Sequence, residues 1–463
     1  MINAKAGLLP LYISLYDEHM PERRKPLDEF YATIATEFES RSVTIVRSDV
    51  CRTKEEFGAA IGLFEKEDVD AVVTLHLAYS PSLESIEALS GTDLDIVVLD
   101  TTPDYDFSPK QSADAIMHNH GIHGVQDMCN LLIRQKKQFT IEAGHWQKSN
   151  VLDRVADRLK ARKLADAMKN AKVGRIGESF RGMGDFSVPT EILKKTIGMT
   201  VIEFNFDLAE GLLPAADNEE VRREIESDRT RFQVANDDRD SHVASVRAGF
   251  ILRRWVENEG LTAATFNFLA FDPERGFPTV PFLEASKGMA RGIGYAGEGD
   301  VLTAALVGAL ASVYPETTFT EAFCPNWADG TLFMSHMGEA NIDLYAEKPP
   351  LATKPFVWTD VTDPVVPVGR LKGGGGILIN LAPGYDNRFT LLICPGEMMA
   401  VEGEDRMADT VHGWFKPQSS LDRFLAEYSG AGGTHHSAFS YGASTETLVD
   451  FAGLMGWESI VLK

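Results

Sequence analysis

Beyond residue 290, five side chains have the types needed to hold a cation or move a proton. Glu298, in "GYAGEGDVLTAALVGAL", lies between two glycines just ahead of a helix. Tight backbone would aim its carboxylate and the helix N-terminus would steady it, although an acid in a first helical turn is also commonplace. Glu321, in "TTFTEAFCP", sits in a strand-like run with Phe319 and Phe323. A carboxylate among aromatics is costly to bury unless a cation or a donor compensates it. His336, in "LFMSHMGEAN", follows an apolar run, where a lone histidine is often a hydrogen-bonded core residue. His435 and His436, in "SGAGGTHHSAFSYG", form a doublet in a chain with 11 histidines among 463 residues. A doublet is either a metal ligand with an orienting neighbour or a feature of a polar loop. Two carboxylates and two neutral imidazoles would fill four positions on a divalent cation and leave two of an octahedron for substrate oxygens. Mixed oxygen and nitrogen donors suit Mn²⁺, with Co²⁺, Fe²⁺ and Mg²⁺ as competitors.

Side chains so far apart in sequence must be assembled by a regular scaffold. The first 110 or so residues alternate strand and helix. "GLLPLYISLY", "SVTIVRS", "DAVVTLHLAY" and "LDIVVLDTT" read as strands. In "PLDEFYATIATEFES", Leu27, Phe30, Ile34 and Phe38 fall on one helix face. "TKEEFGAAIGLFEKE" puts Phe57, Ile61 and Phe64 on a stripe with Thr53 as N-cap. Such alternation implies a parallel sheet with helices on both faces. Ligands of these sheets bind beyond the carboxyl ends of the strands, which draws attention to His76–Ser80, including Tyr79, and to Asp100–Thr102. The plain alternative is that both are ordinary strand-end loops.

Three histidines in "HNHGIHGVQDMCNLL" precede a helix, and the charged helical stretch "VLDRVADRLKARKLADAMKNAK" reads as a connector. "KVGRIGESF" opens a second strand–helix series that runs through "TVIEFNF" and the long helix "RDSHVASVRAGFILRRWVENEG". From about residue 355, "KPFVWTD", "RLKGGGGILINLAP" and "RFTLLICPGEMMAV" suggest a mainly β region. The run Gly373–Gly376 lacks the Lys-Ser/Thr of a phosphate loop and is expected to be a hairpin turn or bulge. No GxGxxG follows a strand, so dinucleotide enzymes and P-loop NTPases are set aside.

Composition narrows the remaining classes. The length suggests about two to four domains, and 44% hydrophobic with 24% charged residues is the balance of a soluble globular chain. A formal net charge of −23 opposes binding to nucleic acid or an anionic membrane. Cys51, Cys129, Cys324 and Cys394 form no CxxC and read as buried thiols in a reducing compartment. The first residues lack a basic n-region and a cleavage site, and no apolar run approaches the roughly 20 residues of a membrane span. The expected location is the cytoplasm.

The ordered segments "PTVPFLEASKGMARG", "GYAGEGDVLTAAL", "FTEAF", "SHMGE" and "GGTHHSAFS", with "LHLAYSPS" and "AGHWQ" nearer the N-terminus, make the sequence recognisable. The chain resembles L-arabinose isomerases, within the wider L-arabinose/L-fucose isomerase superfamily. The resemblance implies two doubly wound α/β domains, at 1–171 and 172–317, followed by a smaller β-rich domain at 318–463. It implies metal ligands Glu298, Glu321, His336 and His436, with the metal site between the second and third domains. Neighbours on an extended chain point to opposite faces, so His435 is expected to pack or hydrogen-bond behind the site. The implied activity is aldose–ketose isomerisation of a free sugar through an enediolate, with Glu298 and Glu321 as catalytic acid–base candidates. L-Arabinose to L-ribulose leads. L-Fucose or D-galactose, or a non-catalytic sugar-binding role, are the alternatives. His120, Met337 and Tyr79 are the implied sugar-binding residues, His120 being supplied by a neighbouring subunit of a homo-oligomer, a trimer or hexamer. Two departures bear on the sugar: "YISLYDEHM" looks closer to fucose-isomerase-like relatives, and Met117 stands where a polar residue is expected.

Overall fold

The computed structural model describes residues 4–234 and 238–463, and the chain divides into two compact units after Lys163. In the N-terminal unit five parallel strands, β1 (Ala4–Leu11), β2 (Val43–Arg47), β3 (Ala71–His76), β4 (Asp95–Asp100) and β5 (Phe139–Ala143), lie in the order β2-β1-β3-β4-β5. The pleat sends alternate residues of β1 to opposite faces. Ala6 and Leu8 join the helix Arg24–Glu39 through Leu27, Phe30, Ile34 and Phe38. Leu9 and Leu11 join the helix Lys54–Lys66 through Phe57, Ile61 and Phe64. The sheet is thus covered on both faces, as the alternation implied. Thr53 caps its helix in a full capping box with Glu56. The expected first strand is too long, however. Pairing ends at Leu11, where a parallel bridge to Cys51 finishes the strand, and "SLYDEH" forms a separate helix, Ser14–His19.

The C-terminal unit opens on a second parallel sheet. Its strands β6 (Lys172–Ile176), β7 (Thr200–Glu203), β9 (Ala263–Phe266) and β10 (Gly294–Gly297) take the order β10-β9-β6-β7. The short β8 (Gln233–Val234) instead pairs with β13 (Pro350–Thr353), which also pairs with β14 (Val365–Pro367). The largest sheet follows. It comprises β11 (Thr317–Asn326), β12 (Thr331–Ser335), β15 (Gly369–Arg370), β16 (Gly374–Pro383), β17 (Phe389–Met398), β18 (Val411–Pro417), β19 (His436–Ser440) and β20 (Glu458–Val461). Their order is β15-β18-β12-β11-β19-β16-β17-β20 and most pairs are antiparallel. The helix Val301–Val313 packs against β9 and β10 on one side and β11 and β19 on the other. It is apolar almost all round and buried from Val301 to Ala311, as a helix enclosed between two sheets must be.

Three expectations need correction here. Gly374–Gly376 open a ten-residue strand rather than a turn. A Cβ at Gly376 would lie 2.5 Å from the Phe439 ring, so the glycine makes room for an aromatic across the sheet. "KPFVWTD" is an irregular loop. Cys324 is exposed, because β11 runs past a bulge at Ala322/Cys324 into a projecting hairpin, while Cys51 and Cys394 are buried. Among the described residues no helix is long and apolar enough to cross a membrane.

Candidate active site

Glu298 owes its place to an unusual backbone. It follows β10 with φ of +61°, a conformation that costs a non-glycine residue energy and persists only where surroundings impose it. The surroundings are visible. Its carbonyl accepts from the Phe180 N–H at 2.8 Å, and the next carbonyl, of Gly299, accepts from Ser179 Oγ at 3.1 Å. A Cβ on Gly297 would lie 2.6 Å from His336 Cε1, and one on Gly299 would lie 2.7 Å from Ser179 Cα. Both flanking glycines are therefore dictated by close approach. Asp300 caps the helix Val301–Val313, accepting from the Thr303 N–H at 2.9 Å.

Sheet register sets the other side chains. On β11, Glu321 stands opposite Ser335 of β12 and opposite His436 of β19. Cross-strand partners share a face, which brings His436 beside Glu321. His336 lies one residue past the end of β12, where strand alternation no longer applies, and its ring turns to the same place. His336 Nε2 is 3.9 Å from Glu321 Oε2, and His436 Nε2 is 3.6 Å from Glu298 Oε2. The ring of Phe319 lies edge-on to both histidines, at 4.9 and 5.0 Å, and Phe186 stacks flat on His436 at 5.0 Å.

His435 does not turn behind the site as expected. Its Nε2 lies 3.9 Å from both Glu298 Oε2 and Glu321 Oε1. Side-chain alternation holds within a strand, and β19 begins only at His436, so His435 belongs to the preceding turn. Asp185 fixes it there, with Oδ2 2.6 Å from Nδ1 and 3.2 Å from the backbone N.

Each imidazole has its own carboxylate on Nδ1: Glu339 for His336 at 2.7 Å, Asp300 for His436 at 3.0 Å and Asp185 for His435. Such pairs fix tautomer and ring orientation and leave Nε2 facing inward. Sequence reasoning missed all three carboxylates. Asp300 and Glu339 were in view, inside "GEGD" and "SHMGE", whereas Asp185 carries no local signal.

The electrostatics are those of crowded opposite charges. Burial works to raise the Glu298 carboxyl, but His435, His436 and His336 outweigh it and hold it low. At Glu321 burial prevails over the same imidazoles and the carboxyl is raised. Burial works to lower His435, yet Glu298 and Asp185 carry it up to about 9.

The donor set fits a divalent cation. Glu298 Oε2 and His436 Nε2 are buried with no hydrogen-bond partner, which native structures rarely leave uncompensated. Ligand atoms of Glu298, His435 and His436, and those of Glu321, His336 and His436, each fall within 4.8 Å of one another. Donors about 2.1 Å from one ion lie roughly 3–4 Å apart, so little adjustment would close the shell.

Met337, half-buried, follows His336 in the same loop. Tyr79 and His120 belong to the N-terminal unit. There the Tyr79 hydroxyl donates to Asp127 at 3.3 Å, and His120 Nε2 is 3.1 Å from the Tyr16 hydroxyl.

Comparison with known proteins agrees with this architecture. Residues 193–314 match the L-arabinose isomerase central domain and residues 316–458 the L-arabinose isomerase C-terminal domain. The L-arabinose isomerase of Shouchella clausii is 29% identical over 356 residues, 74% of this chain and 71% of that one. L-arabinose isomerase 2 of Bacillus licheniformis is 26% identical over 86% of this chain and 85% of its own length. The L-arabinose isomerase of Shewanella sp. strain ANA-3 is 24% identical, with coverage of 91% and 86%. Likeness to solved structures is slight: a solute-binding protein of an ABC transporter from Agrobacterium vitis is 11% identical, with a TM-score of 0.15, over 57% of this chain and 75% of that one. The chain belongs to the L-arabinose isomerase family, and with it to the aldose–ketose isomerases.

Proposed function

We propose that this protein converts L-arabinose to L-ribulose through an enediolate, with a divalent cation of the Mn²⁺ type as its cofactor. The observation that carries the reading is the buried, partnerless pair Glu298 Oε2 and His436 Nε2 at the centre of a five-residue donor set. Glu298, Glu321, His336 and His436 would hold the ion. Once bound, it supplies a Lewis acid that polarises the sugar carbonyl and offsets negative charge on the enediolate.

The chain's own residues do the rest. Glu298 and Glu321 are the two groups that take the proton from C2 and return it to C1. Glu339 and Asp300 hold the Nδ1 protons of His336 and His436, so that neither ring turns its lone pair away. His435, fixed by Asp185, presents Nε2 beside both carboxylates and is placed to hydrogen-bond a sugar oxygen. Phe319 and Phe186 enclose the rings and exclude water from them.

The test is a panel of aldoses incubated with Mn²⁺-loaded protein and scored for ketose, with and without EDTA. The expected result is L-ribulose from L-arabinose, abolished by chelator. Full activity in chelator would overturn the metal reading, and ketose from L-fucose or D-galactose alone would overturn the substrate. The same reading takes the working form as a cytoplasmic homo-oligomer, a trimer or hexamer, in which His120 of one chain faces the sugar held by another. Mixed His120→Ala and Glu298→Gln chains should then regain partial activity. No regain after verified subunit exchange refutes the sharing.

A further inference from the structure

The two histidines expected to hold the cation are braced alike, with one difference. Asp300 uses Oδ2 for His436 and Oδ1 for a backbone donor, the Thr303 N–H. Glu339 uses Oε2 for His336, and its second donor is a side chain: the Tyr295 hydroxyl donates to Oε1 at 2.6 Å. Tyr295 stands on β10 two residues before Gly297, and both its side chain and that of Glu339 are buried. Its ring meets Phe319 edge-on at 5.7 Å, and Phe319 in turn meets His336 at 4.9 Å. Tyr295 therefore touches both groups that fix the His336 ring, one at Nδ1 and one on its face.

We propose that Tyr295 is a positioning residue for the cation site: its hydroxyl locks Glu339 in the rotamer that holds the His336 Nδ1 proton and so keeps the Nε2 lone pair aimed inward. The inference rests on the metal-binding reading above. A carboxylate pinned through one oxygen still rotates about its side-chain bonds, whereas one pinned through both does not. At Asp300 the helix backbone supplies the second pin. At Glu339 the phenol alone does so among the described residues, which makes the Tyr295 hydroxyl the removable part of the brace.

The experiment titrates Mn²⁺ into the metal-free full chain by calorimetry, for wild type, Tyr295→Phe, Glu339→Gln, Asp300→Asn and the double variants. Thermal unfolding of each metal-free protein checks that it folds. Glu339→Gln should weaken Mn²⁺ binding about 10–100-fold. Tyr295→Phe should weaken it roughly 3–10-fold, a share of the same range, while its kcat at saturating Mn²⁺ stays near wild type. Adding Tyr295→Phe to Glu339→Gln should cause no further loss, since Tyr295 acts through Glu339, but adding it to Asp300→Asn should multiply the two losses. Unchanged Mn²⁺ affinity in Tyr295→Phe, or a full further loss on top of Glu339→Gln, overturns the proposal. A wild-type chain that takes up no ion overturns both this inference and the metal reading, whereas a wild type that binds beside an equally tight Tyr295→Phe overturns this inference alone.

Discussion

Replacing Gly297 by alanine adds one methyl group, and the structure says where it goes. The new Cβ would lie 2.6 Å from His336 Cε1 and 2.7 Å from Nε2, against an ordinary contact of 3.4–4 Å. Gly297 does not have a positive φ, so alanine meets no backbone penalty there. The clash must be relieved by the imidazole. That ring is buried, bonded to Glu339 and packed edge-on to Phe319, so it yields as a unit by about 1 Å. A misplacement of about 1 Å in a reacting constellation costs on the order of 10²-fold in rate. The expected result is therefore a roughly 100-fold fall in kcat/KM and weaker Mn²⁺ binding, with unchanged far-ultraviolet circular dichroism. Gly58→Ala is the control, since nothing lies within 4 Å of a Cβ there and a helix gains about 0.5–1 kcal/mol from the exchange. Steady-state kinetics against metal concentration reads both. Gly297→Ala within threefold of wild type would mean that the position of His336 does not matter to the reaction.

Glu298→Gln and Glu321→Gln should each lose about 10²–10⁴-fold in kcat while remaining folded, and either one retaining near-normal turnover leaves the mechanism. His435→Asn should be milder than His436→Asn in Mn²⁺ affinity, measured by calorimetry, and the reverse order would exchange their roles. Acid stability has a nameable source at Glu224. Burial works to raise its carboxyl, but Arg253 and Lys287 hold it at about 2, from 4.5. A depressed carboxyl stabilises the fold above its unfolded pKa, and that contribution fades as pH falls from about 4.5 through 2. Here it amounts to on the order of 3 kcal/mol. Urea midpoints between pH 5.5 and 3 should fall less steeply in Glu224→Gln than in wild type, and equal slopes would refute the assignment.

What the sequence disclosed, and what it hid, follows from how far each interaction reaches. The stripe Leu27, Phe30, Ile34 and Phe38 and the Thr53–Glu56 capping box are local, so periodicity and spacing exposed them. The ligand candidates stood out because carboxylates and imidazoles are conspicuous beside glycines and aromatics. Their partners did not. Glu339 is three residues from His336 and was passed over because an acid near a histidine is ordinary until its hydrogen bond is seen. Asp185 meets His435 only because a loop after β6 reaches the turn before β19. The misreading of His435 came from applying strand alternation one residue beyond the strand. Gly376 was misread because an aromatic pressing on a strand from the next one leaves no mark in the glycine's own neighbourhood.

The place of β19 in the large sheet sets an order on the protein's birth. It lies between β11 and β16, both of which leave the ribosome earlier. Until Ser440 has been made, those two strands flank an open seam and each presents a bare hydrogen-bonding edge. β19 closes this seam and brings His436 with it, before β20 adds to the edge at β17. A chain halted before β19 lacks His436 and carries a pair of adhesive edges. Such a fragment is a substrate for chaperones or aggregation rather than a slow enzyme.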